Sequence, residues 1–148
     1  MRVEIKLDPD IGEPVAVIHA PKMTSDLMAL VKWLEQADEK LSLLFAKNDD
    51  KLFVIEPEQI DIIRTEGNDI KLYNNEAKAY VVTKSLREIG EQLGSNFVRI
   101  SKSAIVNIKR VDYLSPSFNS TMYIVMKNGI SDYITRKHLS DFKSRLGL

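Results

Sequence analysis

Turn-forming clusters at Asn48-Asp49-Asp50, Gly67-Asn68-Asp69, Asn74-Asn75 and Asn128-Gly129 cut the chain from residue 43 onward into short apolar runs. The runs fall at 43–46, 52–55, 60–65, 70–73, 79–82, 97–100, 110–114, 122–126 and 131–134. Stretches this short, bounded by Gly, Asn and Asp, predict strands joined by hairpins and hence an antiparallel fold. Upstream, Val3, Ile5 and Leu7 alternate with charged neighbours. The turn signal Asp8-Pro9-Asp10-Ile11-Gly12 then precedes another apolar run at 14–20, and together these predict two more strands.

Three segments change period. Leu27, Leu30, Val31 and Leu34 follow three-and-four spacing and predict a helix over 25–39, with Thr24 or Ser25 as cap. Leu86, Ile89 and Leu93 lie between the cap candidate Thr83 and Gly94, and Leu139, Phe142 and Leu146 precede Gly147. Both patterns predict short amphipathic helices closed by a glycine. The fold class is therefore mainly β with short helices, α+β overall. The turn at Asn48-Asp49-Asp50 divides a strand-strand-helix piece, residues 1–50, from a strand-rich remainder, residues 51–148.

Catalytic chemistry finds no constellation. There is no Cys, which removes disulfides, thiolate metal sites and thiol nucleophiles and fits a reducing compartment. The two His, His19 and His138, match no zinc spacing, and neither GxGxxG nor a P-loop occurs. Glu56, Glu58 and Asp61 read as solvated strand-turn carboxylates rather than an acid-base pair. The expectation is a non-enzyme with no cofactor and no metal. The opening MRVEIKLDPD lacks the apolar stretch of a secretory signal, and no run approaches the ~20 apolar residues of a membrane span. A cytoplasmic protein without membrane insertion is expected.

Charge is informative only when divided. Lys and Arg number 21, as do Asp and Glu, so the net charge is zero. Residues 1–94 carry 12 basic and 18 acidic side chains, whereas residues 95–148 carry 9 basic and 3 acidic. An asymmetry of this kind points to contact with a polyanion through the second segment. Within it, the run 97–107 (FVRISKSAIVN) can bury its apolar members as a strand and a short turn. Arg99, Ser101, Lys102 and Ser103 are then left on or beside a connection, as donors for phosphates or base edges. Strands with outward cations are more often plain solvated faces, but Thr135-Arg136-Lys137-His138 adds weight. It puts two cations at a helix start, where they oppose the dipole by a few tenths of a kcal/mol and an anionic partner would offset the conflict. Lys143 and Arg145 sit in the last turn, where cations are ordinary.

The pattern F-x-R-x-x-K-S-x-I-V-N at 97–107, the Asn128-Gly129 hairpin and I-T-R-K at 134–137 resemble the LytTR-type DNA-binding domain of bacterial transcriptional regulators. The resemblance extends back to about residue 52. It implies an elongated antiparallel β sandwich that enters DNA grooves through loops, and a response-regulator-like role in transcription. By that resemblance Lys102 and Arg136 fall at base-reading positions. Ser101 stands where many relatives have His, and the third contact loop corresponds to Gly67-Asn68-Asp69, through Asn68. Glu66 and Asp69 make that loop acidic. The DNA-contacting set is thus Asn68, Arg99, Ser101, Lys102, Ser103, Arg136 and Lys137, and the partner is double-stranded DNA.

Residues 1–51 are too few for a receiver domain, so the chain reads as a stand-alone regulator. The first 50 residues hold 6 basic and 10 acidic side chains and would repel DNA. Met28 and Trp33 lie off the main stripe of the first helix. They either finish a small core or pack against a second copy, giving a homodimer, or against a regulatory protein partner. The competing function is a protein-interaction module that docks such a partner, membrane-embedded or not, without binding DNA.

Overall fold

The computed structural model describes residues 1–12, 15–35 and 43–148. It divides into two compact units, Met1–Glu35 and Gln36–Leu148.

In the first unit the turn at Asp8 is present, with the Asp10 amide donating to Asp8 Oδ1 at 3.0 Å. Helix α1, Ser25–Glu35, starts where Thr24 caps it, its hydroxyl accepting from the Leu27 amide at 3.2 Å. The predicted end of this helix, 36–39, lies outside the described residues. The two predicted strands do not form: residues 1–12 and 15–24 carry no strand, and Pro14 lies outside the described set. Alternation specifies which side chains share a face, but a strand also needs a neighbour for its N–H and C=O groups, and the described residues supply none there. Val3, Ile5 and Leu7 are accordingly 76%, 82% and 92% exposed, and α1 buries none of its residues.

The second unit is a two-layer β structure. Its strands are β1 Leu44–Asn48, β2 Lys51–Ile55, β3 Ile60–Glu66, β4 Asp69–Asn74, β5 Ala79–Val82, β6 Phe97–Ser101, β7 Ala104–Asn107, β8 Val111–Pro116, β9 Met122–Met126 and β10 Ser131–Ile134. Helix α2, Leu86–Leu93, follows β5, and helix α3, Arg136–Leu146, follows β10. The large sheet has the order β2-β1-β5-β4-β3-β7-β6 and the small one β10-β9-β8. Every pairing is antiparallel.

Turn chemistry explains the hairpins. Asp49 (φ 54°), Gly67 (φ 62°) and Gly129 (φ 90°) adopt the left-handed conformation that tight connections require, which Gly and Asp tolerate better than branched residues. Helix α2 is capped by Ser85, whose Oγ accepts from the Glu88 amide at 3.2 Å, rather than by Thr83. Strand β7 occupies the stretch where the sequence pattern gave only a turn.

The two faces of the large sheet build two cores. On one, Leu86, Ile89 and Leu93 of α2 pack with Ile63, Leu72 and Ile105. On the other, Ile62, Ile100 and Val106 meet Ile124, Met126, Ile134 and Phe142 of the small sheet and α3. Phe142 is fully buried, a contribution of about 1.5–3 kcal/mol that fixes α3 to the sandwich. A β-bulge between Ile60 and Ile62 turns Asp61 inward, between the layers.

Candidate nucleic-acid interface

Antiparallel pairing puts the proposed contact segments at one end of the second unit. β3 pairs with β7 through Arg64 opposite Ala104, so the β3–β4 turn and the β6–β7 turn lie side by side. The Thr65 amide donates to the Ser103 carbonyl at 2.8 Å and joins them. The Thr135 amide donates to the Ile100 carbonyl at 2.9 Å, which docks the start of α3 beside the same end of β6. Thus Gly67-Asn68, Ser101-Lys102-Ser103 and Thr135-Arg136-Lys137, up to 70 residues apart in sequence, form one surface.

The side chains on this surface divide by task. Asn68, Lys102, Ser103, Arg136 and Lys137 are exposed. Ser101 is only 8% exposed, and its hydroxyl accepts from the Ser103 amide at 3.1 Å and lies 3.2 Å from Ser103 Oγ. Arg99 is half-buried and turned back on its own connection: Nε donates to the Ser101 carbonyl at 3.1 Å and Nη2 to the Lys102 carbonyl at 2.5 Å. Arg99 and Ser101 therefore hold the shape of the turn that presents Lys102.

Helix α3 begins without an acidic residue in its first turn, and Thr135 makes no side-chain cap bond to it. The Thr135 hydroxyl instead pairs with His138 Nδ1 at 2.8 Å. Burial, together with the charges of Arg99 and Lys137, holds the His138 imidazole below its ordinary value, against a weaker opposing pull from Asp141. The folded protein therefore favours neutral His138. Its contribution to stability is complete above the ordinary value of 6.5 and declines as pH falls through 6.5 toward the folded value. A phosphate brought close to Arg136 and Lys137 reverses the local field and favours the imidazolium, so DNA binding is expected to take up a proton. Affinity should be higher at about pH 6 than at about pH 8, and His138→Asn should flatten the profile. A flat wild-type profile would show that no phosphate comes near His138.

The acidity around Asn68 is partly neutralised. Hydrogen bonding from the Tyr73 hydroxyl at 2.6 Å, with further help from Arg64 and Lys71, holds the Glu66 carboxyl below the usual range. Arg64, which no motif singles out, donates to Glu66 Oε1 at 2.8 Å and pairs with Asp132 Oδ2 at 3.3 Å. Two carboxylates outweigh the burial that opposes its charge and raise the guanidinium above its ordinary value. An Arg and a Glu two apart on a strand share a face, which was the one available sequence signal for half of this network. Among the described residues no cluster of three metal-binding side chains occurs, and no helix is long and apolar enough to cross a membrane.

A β sandwich with cations on a turn and at a helix start, and no helix-turn-helix among its described residues, has the makings of a protein that meets DNA through loops. The family described as the LytTr DNA-binding domain matches residues 50–147, and the chain belongs to that family. Among solved structures, the LytTr DNA-binding domain of a methyl-accepting/DNA response regulator from Bacillus cereus superposes with a TM-score of 0.67. It shares 21% identity and covers 72% of this chain and 97% of that one. Sensory transduction protein LytT of Enterococcus faecalis (strain ATCC 700802 / V583) is 25% identical over 103 residues, 69% of this chain and 42% of LytT. The chain thus matches less than half the length of that relative. An HTH-type transcriptional regulator of Staphylococcus aureus (strain NCTC 8325 / PS 47) is 24% identical over 148 residues, all of this chain and 99% of the relative.

Proposed function

We propose that this chain is a cytoplasmic, sequence-specific transcriptional regulator that reads double-stranded DNA through one end of its β sandwich. The observation that carries this reading is the meeting of three connections at that end, with Lys102, Ser103, Arg136 and Lys137 exposed on them. Lys102 and Arg136 read base edges, Asn68 reaches a third position, and Lys137 and Ser103 bind phosphate oxygens. Arg99 and Ser101 act at the same site by shaping the Lys102 turn. The protein has no catalytic role.

The first unit supports a homodimer. Met28 is 53% exposed on helix α1, none of whose 11 residues is fully buried, and a helix this short gains most of its stability from packing an apolar face. A two-fold dimer reads paired half-sites spaced by helical turns.

Binding-site selection from random duplex DNA at two salt concentrations tests both parts. The expected product is a paired motif bound with a log-log salt slope of about −0.9 per neutralised phosphate. Lack of enrichment removes the sequence-specific reading, and enrichment of single, unpaired half-sites removes the dimer.

A further inference from the structure

Arg64 spans the two layers directly behind the proposed DNA surface. Its Nε donates to Glu66 Oε1 at 2.8 Å, at the base of the β3–β4 turn. Its Nη1 donates to the Ser131 carbonyl at 3.0 Å and to Asp132 Oδ2 at 3.3 Å, at the start of β10. The guanidinium carbon lies 5.3 Å from the centre of the Tyr73 ring, and the Tyr73 hydroxyl closes the set on Glu66. Lys71 Nζ adds a contact to Glu66 Oε2 at 3.4 Å. Asn68 is four residues beyond Arg64, and Arg136 is four residues beyond Asp132.

The segment from β10 into α3 is therefore hydrogen-bonded to the large sheet at both of its ends. One attachment is the backbone bond from Thr135 to Ile100 on β6, and the other is the Arg64 tie to β3. Because β7 lies between β3 and β6, these anchors are two strand spacings apart, about 10 Å. Phe142 and Thr135 hold α3 against the β6 side of the sandwich, and the tie from β3 adds a constraint on the angle of the segment that leads into it. A guanidinium suits the task because its planar fork serves two partners at once.

We propose that Arg64 is a positioning residue that locks the β3–β4 turn and the start of α3 in register, so that Asn68 and Arg136 meet one duplex together. The proposal rests on the DNA-binding reading above. Arg64 supplies no contact to the phosphates; it sets the distance between two groups that do the reading.

The test uses the full chain with Arg64→Met, Arg64→Lys and Asp132→Ala, each measured at a temperature where it is folded. Arg64→Met is expected to lower affinity for the selected site roughly tenfold. Base preference should loosen beside Asn68 and Arg136 and persist beside Lys102, with the salt slope unchanged. Asp132→Ala, which cuts only the cross-layer arm, should reproduce that pattern more weakly. Arg64→Lys keeps the charge without the two-sided reach, so it should recover thermal stability but not base preference. Wild-type preference in Arg64→Met, recovery of both properties in Arg64→Lys, or a salt slope smaller by about one, as loss of a direct phosphate contact would give, overturns the proposal.

Amide exchange on the free protein supplies a second readout. Arg64→Met should speed exchange at 67–69 and 135–138 together while 102–103 is unchanged; a uniform rise, or none at either segment, overturns the brace. If that exchange pattern holds while the wild type selects no sequence, the brace stands and the DNA-binding reading falls.

Discussion

Arg136→Ala and Lys102→Ala are each expected to cost roughly 1–3 kcal/mol at the selected operator and much less on random duplex. Every 1.4 kcal/mol is tenfold, so the double variant should lose most discrimination between operator and bulk DNA. The two losses should differ in kind. Lys102 sits on a turn whose carbonyls are held by Arg99, so removing its ammonium leaves the frame intact. Arg136 opens α3, where a cation works against the helix dipole, so its removal should leave the helix slightly more stable while binding weakens. A gain in thermal stability alongside a loss of affinity is what a residue kept for its ligand shows. Gel-shift titration on operator and scrambled duplex, paired with thermal melts, reads both. Wild-type binding by either variant would remove that residue from the interface.

The largest expected loss of stability comes from the other end of β3. Asp61 has no exposed surface, and its Oδ1 accepts from Asn75 Nδ2 at 2.7 Å and from Arg110 Nε at 2.8 Å. Its Oδ2 accepts from the Asn128 amide at 3.0 Å, at the β9–β10 turn. One carboxylate thus joins the large sheet, the segment before β8 and the small sheet. Breaking a buried pair by removing one partner costs about 3–5 kcal/mol. The Arg110 side chain remains 28% exposed and can reach water, so Asp61→Ala should fall at the lower end. For a domain of this size that is a drop in Tm on the order of 10 °C. Asp61 lies roughly 17 Å along β3 from Glu66, so the folded fraction should bind operator normally. A Tm within a degree or two of wild type would show that the three hydrogen bonds offset little more than the cost of burying the charge.

Hairpins were legible in the sequence because their chemistry is local: Gly67 and Gly129 need a left-handed backbone, and the residues that permit it announce the turn. Helix caps were legible to within two residues, since Thr83 and Ser85 both carry a hydroxyl and only the path of the chain selects Ser85. β7 escaped because all four of its residues are buried, so it lacks the polar-apolar alternation that marks a half-exposed strand. The N-terminal alternation misled in the opposite sense, showing a face with no ladder partner among the described residues. At the proposed site, clusters adjacent in sequence, such as Ser101-Lys102-Ser103 and Thr135-Arg136-Lys137, were visible as motifs. The contact from Arg64 to Asp132 spans 68 residues, and only the folded topology brings them together.

β7 has a further consequence for how the molecule comes apart. Ile105 belongs to the core under α2, while Ala104 and Val106 belong to the core shared with the small sheet. Ile63 and Ile62 on β3 divide in the same way. The two layers therefore share a party wall, and neither can be stripped away without breaching the other. Such a wall couples the two cores, so β3 and β7 themselves are expected to open only when the unit unfolds as a whole. The turns bearing Asn68 and Lys102 grow from the ends of those two strands, so their roots stay fixed until the whole unit unfolds, even where a turn loosens locally.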